Sequence, residues 1–530
     1  MAQLEIHNLT FKYPTSKSAI LDNISLKIKE KDWIVLTGPT GSGKTTLLKM
    51  IKKELTPYGE KSGAVYFNGK PLEDVACGDI GFVFQNPESQ IVSEYVWSEL
   101  AFGLENCGLA ASLIRRRIGE TAHFFGINRW FHKKVNQLSG GEKQILNLAS
   151  IIAMQPKLLL LDEPTARLDP FAAEEFHSIL NKINRELGIT IILVEHQLED
   201  VFASADRILV LSRGRIVVDL PPRLAATAIG SDMVFALPAA ARLHLFTERK
   251  GQCPLSVREG QDYLRRHFVN TRRVLPQAKF GSKTGIALLQ NLWFRYCREG
   301  EDILRGLRLQ IKKGEILTIL GGNGSGKSTL LRIIAGVYKP YRGCVKFKGV
   351  RAALLPQSPE DLFLGPTIAE DLQATFGKDK AVQTRMVQTA DKLGIKNLLN
   401  RNFYDLSGGE RQKAGLLKIL LTAAELILLD EPTKGLDAYE KTEIGALLKR
   451  LKENGITVLI VTHDIEFAAA FSDRCALLFA GEIVAVDIVN AFFTGNNFYT
   501  TAAARISRGY YDNVVTTEDL LQLAKENGMK

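Results

Sequence analysis

The pattern G-x-x-x-x-G-K-[ST] occurs twice in this chain. It is spelled first by Gly38, Pro39, Thr40, Gly41, Ser42, Gly43, Lys44 and Thr45, then by Gly321, Gly322, Asn323, Gly324, Ser325, Gly326, Lys327 and Ser328. Each copy follows an apolar run and leads through Thr46 or Thr329 into a pair of leucines, so each lies between a predicted strand and a predicted helix. Glycines let backbone N–H groups close around phosphate oxygens, and the helix start adds a field that favours anions. The lysine then faces the terminal phosphates while the Thr or Ser hydroxyl reaches Mg²⁺. A chance Gly-rich turn does not account for two copies in the same context.

Two further clusters extend this chemistry. Asp162 and Asp430 end leucine-rich runs at 157–161 and 426–429, where a carboxylate can hold Mg²⁺ through water, and Glu163 and Glu431 follow as candidates to polarise an attacking water. A histidine closes the next apolar run in each half, His196 in I-I-L-V-E-H and His463 in V-L-I-V-T-H, 33 and 32 residues past the glutamates. Adjacent parallel strands would deliver all three side chains to one sheet edge, with the histidine placed for a γ-phosphate. The runs S-G-G-E, at Ser139, Gly140, Gly141 and at Ser407, Gly408, Gly409, have the form of a helix start capped by Ser and by Glu142 or Glu410. Two exposed glycines there would leave backbone N–H groups open to an anion, yet no lysine accompanies them, so this helix end is expected to complete a site built elsewhere.

The elements that must position these groups are duplicated. The same order of segments begins near Leu4 and again near Ile286, and in both halves the glutamate lies 24 residues past the S-G-G-E serine. Apolar β runs alternate with helical stretches, the pattern of a parallel sheet covered by helices, and the leucine runs read as strands buried on both faces. Residues 1–10 alternate polar and apolar side chains like an edge strand, with no signal-peptide pattern. The chain of 530 residues, 45% hydrophobic and 24% charged, is expected to divide into a first phosphate-loop domain at 1–219, an extension at 220–283 packed on it, a second such domain at 284–489 and a smaller tail at 490–530. The extension holds five prolines but is too apolar for a flexible tether.

Bulk properties narrow the classes. No apolar stretch approaches the roughly 20 residues of a membrane span; the best, 475–493, is broken by Glu482 and Asp487. The six cysteines form no local CxxC pattern and read as reduced thiols. Of the net charge of +10, the stretch 242–283 contributes +7, a surface for RNA, anionic lipid headgroups or an acidic partner, or simply a solvated linker face.

Taken in order, the phosphate loop, a glutamine loop, L-S-G-G-E, the D-E pair, an L-D turn and a histidine occur twice, and this resembles the ATP-binding cassette family. The resemblance covers about four fifths of the chain. It implies an α/β fold of two P-loop NTPase domains, each with a largely parallel sheet, flanking helices, a helical subdomain and an antiparallel edge sheet. It also implies MgATP hydrolysis, with two sites formed within one chain as the signature of each half closes over nucleotide bound by the other. One site would use Lys44, Thr45, Gln85, Asp162, Glu163 and His196 with Ser407 and Gly409; the other would use Lys327, Ser328, Gln357, Asp430, Glu431 and His463 with Ser139 and Gly141. Thr45, Gln85 and Asp162, and likewise Ser328, Gln357 and Asp430, would be the Mg²⁺ set. Tyr13 and Tyr296 stand where the family stacks an aromatic on adenine, strand packing being the alternative. Arg167 in A-R-L-D and Lys434 in K-G-L-D depart from the small residues usual in that turn.

With both acids, histidines and signatures intact, two hydrolytic sites are expected. The stretches 83–106, 254–260 and 492–503 further resemble ATPases of energy-coupling-factor importers. That resemblance implies a peripheral subunit on the cytoplasmic face of the cell membrane. Its partners would be a transmembrane coupling protein and a membrane-embedded binding protein for a vitamin, vitamin precursor or metal ion, with no nucleic acid. An acidic and aromatic surface after Gln85 (Glu88, Glu94, Trp97, Glu99) would transmit the motion. A fused sugar-importer ATPase and a soluble translation factor of ABC-F type are the alternatives.

Overall fold

The computed structural model describes residues 2–528 apart from 15, 17, 248, 250, 271–274 and 276–283. Half of the basic residues of 242–283 (Lys250, Arg272, Arg273, Lys279 and Lys283) therefore lie outside the described residues. The chain divides into two units, Met1–Ser256 and Val257–Lys530.

In the first unit a six-stranded sheet runs in the order Arg215–Leu220, Arg207–Ser212, Trp33–Thr37, Thr190–Val194, Leu158–Asp162, Ile80–Val83. All neighbours are parallel except the first pair. Its five parallel strands are buried on both faces, and alternate residues serve different cores. Trp33, Val35, Leu159 and Leu161 face the helices, while Ile34, Leu36, Leu158 and Leu160 face the layer above. That layer is an antiparallel sheet in the order Leu21–Lys29, Ala2–Lys12, Glu60–Phe67, Lys70–Pro71. The opening strand is thus interior, paired on both sides, and not the edge strand its alternation suggested. Alternation reports that one face is wet; it carries no information on lateral neighbours.

The second unit repeats this plan. Its six-stranded sheet runs Ala352–Leu355, Leu426–Asp430, Thr457–Thr462, Ile316–Leu320, Arg474–Phe479, Glu482–Ile488 beneath an antiparallel sheet of three strands. In each unit the strand before the phosphate loop lies inside the sheet, next to the strand that carries the histidine. Their carboxyl ends share one edge, where a parallel sheet leaves a crevice for ligands.

Three helices form a side domain in each unit, Val96–Asn106, Ala111–Phe124 and Gly140–Ala153 in the first and Ile368–Phe376, Lys380–Lys392 and Gly408–Leu421 in the second. Here Glu99 departs from expectation. It is 5% exposed, and its carboxylate accepts from Val92 N at 3.1 Å and Ser93 N at 2.8 Å. Asp371 does the same in the second unit, accepting from Leu364 N and Gly365 N. Burial opposes its charge, but the ion pair with Lys418 and those N–H groups hold its carboxyl below the usual range. These acids are buried braces for the loop after Gln85 or Gln357, not part of an outer acidic surface.

The linking segment is divided. Helices Pro222–Ala228 and Ala239–Leu245 bury Ala225, Ala226 and Ala241 in the core of the first unit, joined by Cys253 and Leu255. From Val257 onward the chain belongs to the second unit. The helix Val257–His267 packs on Ala502–Ser507, with Gln261 Nε2 donating to Arg505 O at 2.7 Å and Tyr511 OH to Val269 O at 3.1 Å. The expectation that all of 220–283 packs on the first domain is corrected accordingly: the buried Tyr263, Leu264 and Phe268 belong to the second unit, where the helix Val257–His267 packs on Ala502–Ser507.

Replacing Glu99 by alanine removes the acceptor of two part-buried N–H groups, so unfolding in denaturant should lose about 1 kcal/mol or more. An unchanged midpoint would show that the brace is dispensable.

Candidate active site

Between strand Trp33–Thr37 and helix Lys44–Met50 the chain turns on glycines at positive φ, Gly41 at 76° and Gly43 at 102°. A Cβ on Gly38 would fall 2.0 Å from Leu211 O, so no other residue fits. Lys44 is buried, and its Nζ donates to Gly38 O at 2.8 Å and Pro39 O at 3.0 Å. Thr45 Oγ1 donates to Asp162 Oδ1 at 3.0 Å. The second unit reproduces each contact: Lys327 Nζ to Gly321 O at 2.8 Å and Gly322 O at 3.0 Å, Ser328 Oγ to Asp430 Oδ1 at 3.0 Å. Tyr13 OH meets Thr46 Oγ1 at 3.2 Å and Tyr296 OH meets Thr329 Oγ1 at 2.7 Å, tying the antiparallel sheet to the phosphate-loop helix. Tyr296 is nevertheless 55% exposed, so it has ring surface to offer a base.

The acids sit at the sheet edge because register puts them there. Asp162 pairs with Val194, and Asp430 with Val461, each two residues before the histidine. Glu163 and Glu431 then adopt left-handed φ of 46° and 49°, conformations that cost non-glycine residues energy and that persist where surrounding structure enforces them. Beyond this the units differ. Glu163 lies between Gln85 Nε2 at 2.8 Å and His196 Nε2 at 2.8 Å. Glu431 turns inward, accepting from Thr462 Oγ1 at 2.9 Å and His463 N at 3.3 Å, with His463 Nδ1 at 3.0 Å. Among the described residues no hydrogen bond joins Gln357, which is exposed, to Glu431.

One position explains the difference. The residue before the histidine is Thr462 in the second unit, a hydroxyl able to donate to Glu431, and Glu195 in the first, a carboxylate. Glu195 instead accepts from Thr165 Oγ1 at 2.5 Å and has His177 Nε2 at 3.8 Å. In the second unit an acid follows the histidine. Asp464 lies 3.5 Å from Thr433 Oγ1 and 2.6 Å from Lys441 Nζ. Each unit thereby ties the threonine of D-E-P-T to a buried acid beside the histidine. The sequence reading missed Glu195 and Asp464, although an acid bordering a wholly apolar strand was the available signal.

Burial, with the neighbouring charge of Glu163, raises the Asp162 carboxyl to about 6 despite the Thr45 hydrogen bond. Asp430 is raised as well, chiefly by burial. Burial also opposes the charge of Glu431, but His463, Lys327 and Thr462 hold its carboxyl below the usual range. A hydroxyl beside a buried aspartate with a second carboxylate adjoining is a hard-oxygen set that fits Mg²⁺, whose charge would relieve the crowding.

The S-G-G-E helices start with the expected reciprocal caps. Ser139 N donates to Glu142 Oε2 at 2.8 Å and Glu142 N to Ser139 Oγ at 3.2 Å, and Ser407 and Glu410 repeat this at 2.8 and 3.3 Å. Gly140 and Gly408 are exposed, but Gly409 is buried, and a Cβ there would fall 2.3 Å from Glu440 Oε1. The expectation of two open glycines thus fails in the second unit, where Glu440 stands at the place of Ala172 in the first and covers the helix start.

The model of the family described as ABC transporter matches residues 21–166 and 304–434. An ABC transporter ATP-binding protein of Bacillus thuringiensis subsp. konkukian is 41% identical over 98% of this chain and 98% of its own. The chain belongs to the ABC transporter family. As a member it is an ATPase that uses ATP with Mg²⁺, the ATP-binding subunit of an ABC transporter. Among solved structures, CbiO1 of Clostridium perfringens, part of an ABC transporter complex, is 31% identical over 44% of this chain and 93% of its own, with a TM-score of 0.40. A chain from a model of ribosome-bound archaeal Pelota and ABCE1 covers 95% of this chain and 86% of its own at 20% identity and a TM-score of 0.65, a likeness of fold. Among the described residues no helix is long and apolar enough to cross a membrane.

The raised Asp162 carboxyl gives a signed prediction. Its folded value of about 6 lies above the ordinary 3.8, so the metal-free chain loses stability as pH rises from about 4 through about 6, and the loss is complete above that. Asp162→Asn should raise the melting temperature of metal-free protein most at pH 8, less at pH 5 and not at all at pH 3, below the ordinary carboxylate value, and should weaken Mg²⁺-dependent hydrolysis.

Proposed function

We propose that this ABC ATPase subunit energises an importer of the energy-coupling-factor type, working at the cytoplasmic face of a membrane on separate membrane proteins. In this reading Lys44 and Lys327 face the β/γ-phosphates, and Thr45 with Asp162 and Ser328 with Asp430 hold Mg²⁺, with Gln85 and Gln357 alongside. Glu163 and Glu431 polarise water and His196 and His463 meet the γ-phosphate. Mg²⁺, when bound, neutralises charge between the β- and γ-phosphates. Glu163 already has the form of a poised base: Gln85 and His196 fix its two carboxylate oxygens, leaving it oriented for a water. The family resemblance further supports a cycle in which ATP draws the two halves together, Ser407 and Gly409 serving the first site and Ser139 and Gly141 the second, and hydrolysis releases them. For Gly409 to take part, the Glu440 carboxylate has to move aside.

One observation carries the membrane-partner reading. Within 17 residues of Gln85, three large apolar side chains are left open to solvent: Val92 at 63%, Trp97 at 45% and Phe102 at 45%. In the second unit Leu364, at the same distance from Gln357 as Val92 from Gln85, is 97% exposed. Both side chains ride on loops braced by the buried acids Glu99 and Asp371, so the chain holds apolar groups outward on a fixed support. Such groups are what a docking protein needs. Glu88 and Glu94 are ion-paired to Lys143 and Lys134 on the same side domain, which leaves the aromatic and aliphatic groups as the contact. The resemblance of 83–106, 254–260 and 492–503 to energy-coupling-factor ATPases supports the importer class, with a vitamin, vitamin precursor or metal ion as cargo.

Purification of the tagged chain from detergent-solubilised membranes of its host should bring down two hydrophobic proteins, and Val92→Asp with Trp97→Asp should lose them while retaining basal MgATP hydrolysis. Ribosomal subunits in their place would overturn the transport reading and leave the ATPase chemistry intact.

A further inference from the structure

Arg167 is unusual for its turn, and the structure shows where it goes. Its Nη1 donates to Asn86 Oδ1 at 2.7 Å. Asn86 directly follows Gln85, which holds Glu163, and its side chain also accepts from Glu88 N at 3.3 Å to cap the turn Pro87–Ser89. Glu88 in turn pairs with Lys143 on the S-G-G-E helix at 2.7 Å, and its carboxyl is held below the usual range by Lys143 first and by the charge of Arg167. A polar path therefore runs from the candidate base through Gln85 and Asn86 to Arg167, with a branch through Glu88 to the signature helix.

The second unit is built otherwise. At the place of Arg167 stands Gly435, with φ of 69° and no side chain; at that of Asn86, Ser358; and at that of Lys143, Arg411, whose Nη2 donates to Tyr404 O at 2.6 Å. The backbone plan is shared, so the link comes from these particular residues.

We infer that Arg167 is a positioning residue for ATP hydrolysis, acting through Asn86 to fix the glutamine loop against the turn after the catalytic acids in the first unit alone. Arg167 touches neither nucleotide nor the attacking water in this reading. Its contribution is to keep Gln85 on Glu163 while the turn 166–169 is in its present place, so that a shift of either is felt by the other. Arg167 is exposed and Asn86 half-buried, and polar pairs at such an exposed bond add little to stability. Loss of the bond should therefore appear in turnover and leave the fold intact, which separates positioning from a structural role.

The test is steady-state MgATP hydrolysis by the purified full chain carrying Arg167→Gly, which copies the second unit, Asn86→Ser, which does the same from the other side, both together, and Arg167→Lys. With the second site silenced by Glu431→Gln in every variant, each of the first two should lower kcat about fivefold with KM and melting temperature unchanged, the size expected for residues on a coupling path. The double variant should lose no more than either single one, and Arg167→Lys should recover most of the rate by keeping a donor near Asn86. An unchanged kcat in either single variant, losses that multiply in the double variant, or a fall in kcat matched by a fall in melting temperature would overturn the inference.

Discussion

In each unit one hydrogen bond joins the phosphate loop to the strand that carries the acids, Thr45 to Asp162 and Ser328 to Asp430, and the rest of the site depends on it. It fixes a buried carboxylate at the end of an all-apolar strand, where desolvation and the next residue's charge both work against ionisation. A fully buried strand, strict parallel register with the histidine strand and a left-handed glutamate are the means by which the fold keeps two acids in so unfavourable a place. Such crowding is retained where a cation is to be bound, because the cation relieves it.

Around that shared bond the two units are wired differently. Glu163 is turned toward Gln85 and His196, whereas Glu431 is drawn inward by Thr462 and is more deeply buried. The first signature helix start is open and the second is covered by Glu440. Duplication preserved the backbone and the motif residues; the differences reside in single neighbours, Glu195 against Thr462, Ala172 against Glu440, Arg167 against Gly435. Each exchanges a donor, an acceptor or an empty space at a site whose backbone is otherwise the same.

Much of this was legible in the sequence because it is local. The phosphate loops, the capping boxes and the leucine strands are settled by residues within a few positions of one another, and the structure reproduces them. What escaped depends on partners far along the chain. Gly409 is covered by a residue 31 positions away, and Val257–His267 packs on a helix some 240 positions on. Glu99, an acid in an amphipathic helix, reads as surface until the loop N–H groups it accepts from are known. The opening strand was misjudged for another reason: period-2 alternation reports which face is dry and is silent on pairing.

The measurement that bears most directly on the account is MgATP turnover by the full chain with Glu163→Gln and, separately, Glu431→Gln, alongside nucleotide binding. If these glutamates polarise the attacking water, each substitution retains ATP binding while lowering turnover at its own site about 10²-fold or more, and the two together lower the turnover of the whole chain by that factor. Wild-type turnover in either variant would contradict the assignment of that glutamate, and wild-type turnover in both would remove the sheet-edge acids from the chemistry.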